Sequence, residues 1–151
     1  MTLFIGIDPG KGGGVALLDS SPVHEAAPAQ VLPFTDEATV RDWLSERIPY
    51  SDAVHCFALI EKSQAMPKQG VSSVFTYGCN YGFWRGLLIC MRIPFDEVRP
   101  QRWQKAMGCM TKGDKNVSKA KAAQLFPYIR MTHAIADSLL IAEYCKRTWV
   151  A

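Results

Sequence analysis

Three acidic residues, far apart in the chain, stand where apolar segments would otherwise continue. Asp8 closes the run FIGID and is followed by PGKGGG, where four glycines crowd six positions. Glu61 closes VHCFALIE, and Asp137 lies within THAIADSLLIAEYC, four residues after His133. That i, i+4 spacing puts His133 and Asp137 on one helix face. A single acid at a strand end is most often a solvated turn residue. Two on adjacent central strands repel each other unless a cation stands between them. An acid on the inward face of a helix is costly unless it is paired or neutralised. Asp8, Glu61 and Asp137, with His133 nearby, are therefore candidate ligands for divalent cations. An oxygen-rich set of this kind suits Mg²⁺ or Mn²⁺. Two such ions about 4 Å apart clamp the attacking and leaving oxygens of a phosphodiester undergoing in-line displacement. The glycines after Asp8 would let a sugar–phosphate backbone approach closely, although a tight hairpin alone also accounts for them.

The elements that must position these residues follow from patterning. Residues 3–8 and 14–19 read as a hairpin with a glycine-rich turn, and 29–34 as a third strand against them. Thr35 or Asp36 caps a helix over 37–48, which Pro49 stops. Residues 54–61 form a continuous apolar run, as in a strand covered on both faces. A polar loop leads to a helix over about 71–91, then to an edge strand at 93–98, where Pro94 cannot donate to a ladder. Helices over about 100–107, 115–126 and 133–148 complete the chain. The expected fold class is α/β, with a mixed central sheet of about five strands, the first three antiparallel, flanked by helices. At 151 residues the chain reads as one domain, 1–151, long enough to bury about 70% of its unfolded surface.

Composition narrows the setting. The five cysteines are odd in number and form no CxxC pair, which reads as reduced filler in a cytoplasmic protein. No basic segment precedes Asp8, so no signal peptide is expected, and no apolar run is long enough to suggest a membrane partner. The net charge of +3 is unevenly spread. Residues 99–121 hold Arg99, Arg102, Lys105, Lys112, Lys115, Lys119 and Lys121 against Asp114 alone, so a local basic block sits on an otherwise slightly acidic chain. Such a block suits either a polyanion-facing surface or a solvated lysine-rich face. Within 71–91, Gly78, Gly82 and Gly86 recur every four residues. Each costs about 1 kcal/mol against alanine in a helix interior. The stripe permits close approach either to the domain's own sheet or to a twin helix.

The ordered set of GIDPG, a strand ending in E, a GxxxG helix, a basic segment and HAIADSLLIAEY resembles the RuvC-type Holliday-junction resolvases of the ribonuclease H-like superfamily. The stretch EKSQAMPKQGVSSVFTYGCNYGFWRGLL is more like the chloroplast and phage-type members. The resemblance covers roughly 3–19, 54–92 and 99–146; residues 20–53 carry none of it.

It implies a ribonuclease H-like fold and a crossover junction endodeoxyribonuclease of DNA recombination and repair. Such an enzyme is a metal-dependent hydrolase, usually homodimeric, that cuts opposed strands of a four-way junction with two Mg²⁺ or Mn²⁺ ions per active site. The family's acids fall on Asp8, Glu61 and Asp137. A fourth ligand, usually Asp, falls at or near His133, leaving that imidazole either a ligand or the general base. As a ligand it predicts that Mn²⁺ supports activity at least as well as Mg²⁺. Lys119 and Lys105 resemble the family's active-site lysines, while Lys112 and Lys115 could fill that role from the loop. DNA contacts are expected from these four, from Lys11 and Arg102, and from Lys62, Gln64, Met66 and Lys68 in the loop after Glu61. The dimer interface is expected at Phe75, Gly78, Gly82, Phe83 and Gly86. Alternatives are another ribonuclease H-like nuclease acting on an RNA–DNA hybrid or branched DNA, a non-catalytic junction-binding module, and a fragment of an actin-like ATPase. The last needs two lobes to enclose a nucleotide.

Overall fold

The structure, a computed structural model, describes residues 2–20, 29–62, 64–65 and 67–149. Leu3–Asp8 (β1) and Gly14–Asp19 (β2) pair antiparallel, with Leu3 opposite Asp19 and Asp8 opposite Gly14. Gln30–Pro33 (β3) adds antiparallel to β2. Cys56–Glu61 (β4) runs parallel to β1, and Phe95–Val98 (β5) parallel to β4. The sheet order β3-β2-β1-β4-β5 is the mixed five-stranded arrangement expected, with its first three strands antiparallel. β4 begins later than its apolar run suggests, because a 3-10 turn at Tyr50–His55 takes up the preceding residues. Pro94 lies just outside β5, where its carbonyl still accepts from the Ala58 N–H at 3.0 Å.

Period-two alternation divides the core. Ile5, Ile7, Val15 and Leu17 face one layer with Val40, Leu44, Trp84 and Leu88, from Glu37–Arg47 (α1) and Val71–Cys90 (α2). Phe4, Ala16, Leu18 and Leu59 face the other, formed by Pro100–Met107 (α3), Lys115–Leu125 (α4) and His133–Thr148 (α5). The helix starts have local causes. Asp36 caps α1 by accepting from the Thr39 N–H at 2.8 Å. Pro100 opens α3, where its missing N–H costs nothing.

α5 is the central helix, apolar on nearly every side and laid directly on the sheet. Gly6 makes this possible: a Cβ there would fall onto the Ser138 carbonyl oxygen and the Ala142 nitrogen. Gly14 plays the same part on β2, where a Cβ would lie 2.9 Å from the Ala134 carbonyl oxygen. Two glycines on one face thus bring the backbone of α5 down onto β1 and β2 beside Asp8. Among the described residues no helix is long and apolar enough to cross a membrane. All five cysteines are free thiols; Cys56, Cys109 and Cys145 are buried, while Cys79 and Cys90 lie exposed on α2.

Candidate active site

The register of the two central strands brings the first two acids together. Ile7 pairs with Ile60, so Asp8 and Glu61 emerge as the next residues on neighbouring strands, about 5 Å apart at the backbone. The alternation that sends Ile7 and Ile60 toward α1 and α2 sends Asp8 and Glu61 to the α5 face. Asp137 reaches the same place from the first turns of α5. The three carboxylates influence one another electrostatically: Asp8 is raised well above the ordinary carboxylate range by burial, then by the charges of Glu61 and Asp137. Glu61 is pushed up to about 7, chiefly by burial, with Asp137 adding to it. Burial also raises Asp137, while the Ser118 hydroxyl, the Lys115 ammonium and His133 pull it back.

Each acid has a distinct support. The Gly10–Gly13 turn packs on Asp8: a Cβ on Gly13 would overlap the Asp8 carbonyl and lie 3.0 Å from its carboxyl carbon. Glu61 Oε2 accepts a 2.7 Å hydrogen bond from the indole N–H of Trp103, a side chain with no solvent exposure. That bond favours the ionised form and partly offsets burial. Among the described residues, the buried Asp137 Oδ1 has no hydrogen-bond partner.

An orphaned buried oxygen among three mutually repelling carboxylates fits a hard divalent cation in donor chemistry. Among the described residues, no group of three or more His, Cys, Asp and Glu side chains has the spacing to hold an ion as they stand. The donors converge without being clasped.

The basic residues divide. Lys115, at the start of α4, lowers the pKa of all three acids, so its charge lies near them. Lys119 lies one turn further along α4, half-buried, and is not among the charges that act on the acids. His133 is exposed at the first position of α5 and acts on Asp137 alone of the three.

Lys11 borders a groove of about 300 Å³ with Gly10, Ser72 and Tyr77. Gln64 lines a cavity of about 400 Å³ against Ser73, Tyr77 and Tyr81 of α2. Lys62 is tied to Glu97 at 3.2 Å, and Glu97 also meets Arg85 at 3.5 Å. Lys68, Lys105 and Lys112 are exposed. Arg102 lines a separate groove with Phe57, Asp96, Glu97, Tyr144 and Trp149, in which Asp8, Glu61 and Asp137 take no part. Met66 lies outside the described residues.

On α2 the glycine stripe faces away from the domain. Among the described residues, a Cβ on Gly78, Gly82 or Gly86 would meet nothing within 4 Å, so packing on the domain's own sheet does not account for the stripe. Phe75 beside it is 73% exposed. Phe83 instead turns inward, 6.3 Å from the ring of Phe34 and 5.5 Å from that of Trp84.

Two contacts made by the candidate acids and their turn escape sequence reasoning. Trp103 reads as a helix anchor, and nothing in its own segment says that its N–H points at Glu61. Asn80 sits in the buried row Asn80, Trp84, Leu88 of α2, and its side-chain oxygen accepts from the Gly10 N–H at 2.6 Å. A lone amide in an apolar i, i+4 row is the signal that could have found it.

No family model and no curated protein matches the chain. Solved structures do. A Thermus thermophilus RuvC structure superposes with a TM-score of 0.60 at 15% identity, covering 95% of this chain and 92% of that one. T. thermophilus RuvC in complex with a Holliday junction substrate gives 0.63 at the same identity and coverage. The chain has the ribonuclease H-like fold of RuvC.

Proposed function

We propose that this protein is a structure-selective DNA endonuclease that resolves four-way junctions by metal-dependent phosphodiester hydrolysis. The observation that carries this reading is the convergence of Asp8, Glu61 and Asp137, from β1, β4 and α5, beside Lys115. The fold shared with a RuvC bound to a junction supports the substrate class. Asp8, Glu61 and Asp137 would hold two Mg²⁺ or Mn²⁺ ions, with His133 as a further ligand or as the base that takes the water proton. When bound, the ions supply an activated water and charge neutralisation for the leaving oxygen.

The chain's own groups do the rest. The Trp103 N–H favours the ionised form of Glu61 against the effect of burial and fixes its direction. Lys115 offsets the charge that builds on the phosphoryl oxygens as the water oxygen bonds to phosphorus and the P–O bond to the sugar breaks. Lys11, Lys62, Gln64, Met66, Lys68, Arg102, Lys105, Lys112 and Lys119 would track the DNA backbone and the exchange point, giving salt-sensitive and largely sequence-independent affinity. The exposed stripe of α2 would join two copies so that two sites address opposed strands. Phe83, turned into its own domain, contributes less to that contact than Phe75.

The test is a nicking assay on an immobile four-way junction labelled on each strand, with Mn²⁺, Mg²⁺ or chelator, beside an RNA–DNA hybrid duplex. Paired cuts in opposed junction strands are expected with either metal. Asp8→Asn should still bind the junction and lose cutting by at least about a thousandfold. Preferential cutting of the hybrid, or equal cutting by Asp8→Asn, overturns the reading.

A further inference from the structure

We propose that Asn80 is a positioning residue through which α2 sets the place of Asp8, and with it the affinity of the site for divalent metal. The inference rests on the metal-site reading above and deepens it.

The segment after Asp8 is poorly equipped to hold itself. Gly10 has φ +111, a conformation that ordinary side chains rarely adopt, and three more glycines follow within four residues. Glycine-rich backbone samples the widest range of shapes, so local propensity does not fix this turn. Two backbone bonds steady its far side: Gly13 N–H donates to the Gly10 carbonyl at 3.1 Å, and Phe34 N–H to the Gly13 carbonyl at 2.9 Å. The near side is held from across the fold. Asn80, 70 residues away and 5% exposed, accepts from the Gly10 N–H at 2.6 Å. Tyr77, one helical turn before it, places its ring 3.5 Å from where a Gly10 Cβ would be.

The turn in turn bears on the carboxylate, because the Gly13 backbone lies against Asp8 closely enough to exclude even a methyl group. A shift of Gly10 therefore reaches Asp8 through two short links. An amide buried in an apolar helix row is costly unless its bond is used, and here the partner is the backbone two residues from a candidate metal ligand.

The experiment compares the wild-type protein with Asn80→Leu, which removes the acceptor at similar volume, and Asn80→Asp, which keeps an acceptor oxygen. Asn80→Ala stands in should Asn80→Leu fail to fold. Two quantities are read without DNA: hydrogen exchange at the Gly10 amide, and Mn²⁺ affinity by calorimetry. In Asn80→Leu, exchange at Gly10 should speed up about tenfold while amides of β1 and α5 keep their protection. Mn²⁺ affinity should fall by about tenfold and return to within about threefold of wild type in Asn80→Asp.

Unchanged Gly10 exchange, or accelerated exchange with unchanged Mn²⁺ affinity, overturns the proposal. So does a loss of affinity in Asn80→Leu that Asn80→Asp fails to restore. The wild-type arm separates the two levels. A wild-type protein that binds no Mn²⁺ removes the metal site itself, whereas one that binds Mn²⁺ but cuts no junction removes only the substrate assignment and leaves the Asn80 result standing.

Discussion

Glu61 shows how one residue's surroundings become a pH dependence. Its folded value of about 7 stands above the ordinary 4.5, with burial the main cause. Between those values the folded chain holds a proton that the unfolded chain has released, so unfolding free energy falls as pH rises through the window. The shift corresponds to about 3 kcal/mol, or on the order of 5–10 °C in Tm for a chain of this length. Metal-free protein should therefore melt lower at pH 7.5 than at pH 5, and Mn²⁺ should raise Tm more at the higher pH, where the carboxylates are ionised. Differential scanning calorimetry with and without metal checks both signs. Trp103 supplies the second handle. Trp103→Phe deletes the 2.7 Å indole bond that favours ionised Glu61, so the pKa of that carboxyl moves further up. The acidic limb of the pH–rate profile should shift to higher pH, with about a 10- to 100-fold loss of rate at pH 6 that shrinks toward pH 8.5. A purely structural tryptophan would lower the whole profile without moving its limb.

At the level of elements, the docking of α5 on β1 decides whether Asp137 reaches the other acids. Gly6→Ala forces a methyl onto the Ser138 carbonyl and the Ala142 nitrogen, backbone atoms that move only if the helix moves. Overpacking of this kind costs about 1–3 kcal/mol, read as a lower denaturant midpoint, and Mn²⁺ binding should weaken because Asp137 precedes Ser138 on the displaced turn. Gly12→Ala, where a Cβ would meet nothing within 4 Å, is the neutral control. The same elements show why some features can be read from sequence and others cannot. The strands, a cap at Thr35 or Asp36 and the two strand-end acids announce themselves within a few residues, through alternation, capping chemistry and a polar residue ending an apolar run. The partners of those acids do not. Trp103 meets Glu61 across 42 residues and Asn80 meets Gly10 across 70, so each contact exists only once a helix has docked. Lys115 and Lys119 share one helix face by spacing, and only the placement of the start of α4 distinguishes them.

At the scale of the whole molecule, one surface lacks an account among the described residues of a single chain. α2 carries one charged residue in twenty, Arg85, although much of its length faces outward. Val71, Phe75 and Ile89 are 87%, 73% and 63% exposed along the side that holds the glycine stripe. An outward helix face with Arg85 as its one charge, small residues at four-residue intervals and large apolar ones at its ends is suited to a second helix crossing closely. Two active sites held by one such crossing would give paired cuts in place of single nicks. The double variant Gly78→Leu with Gly82→Leu tests this with opposed signatures. Among the described residues a Cβ at either position meets nothing within 4 Å, and each substitution replaces a glycine in a helix interior, so the monomer should gain about 1 kcal/mol per site. A twin helix could no longer approach closely, so sedimentation should show a shift from dimer to monomer, and junction cleavage should change from paired to isolated nicks. A variant that is stabilised yet sediments like the wild type would assign the stripe to some other contact, whereas one that is destabilised would mean that these glycines are covered within the single chain.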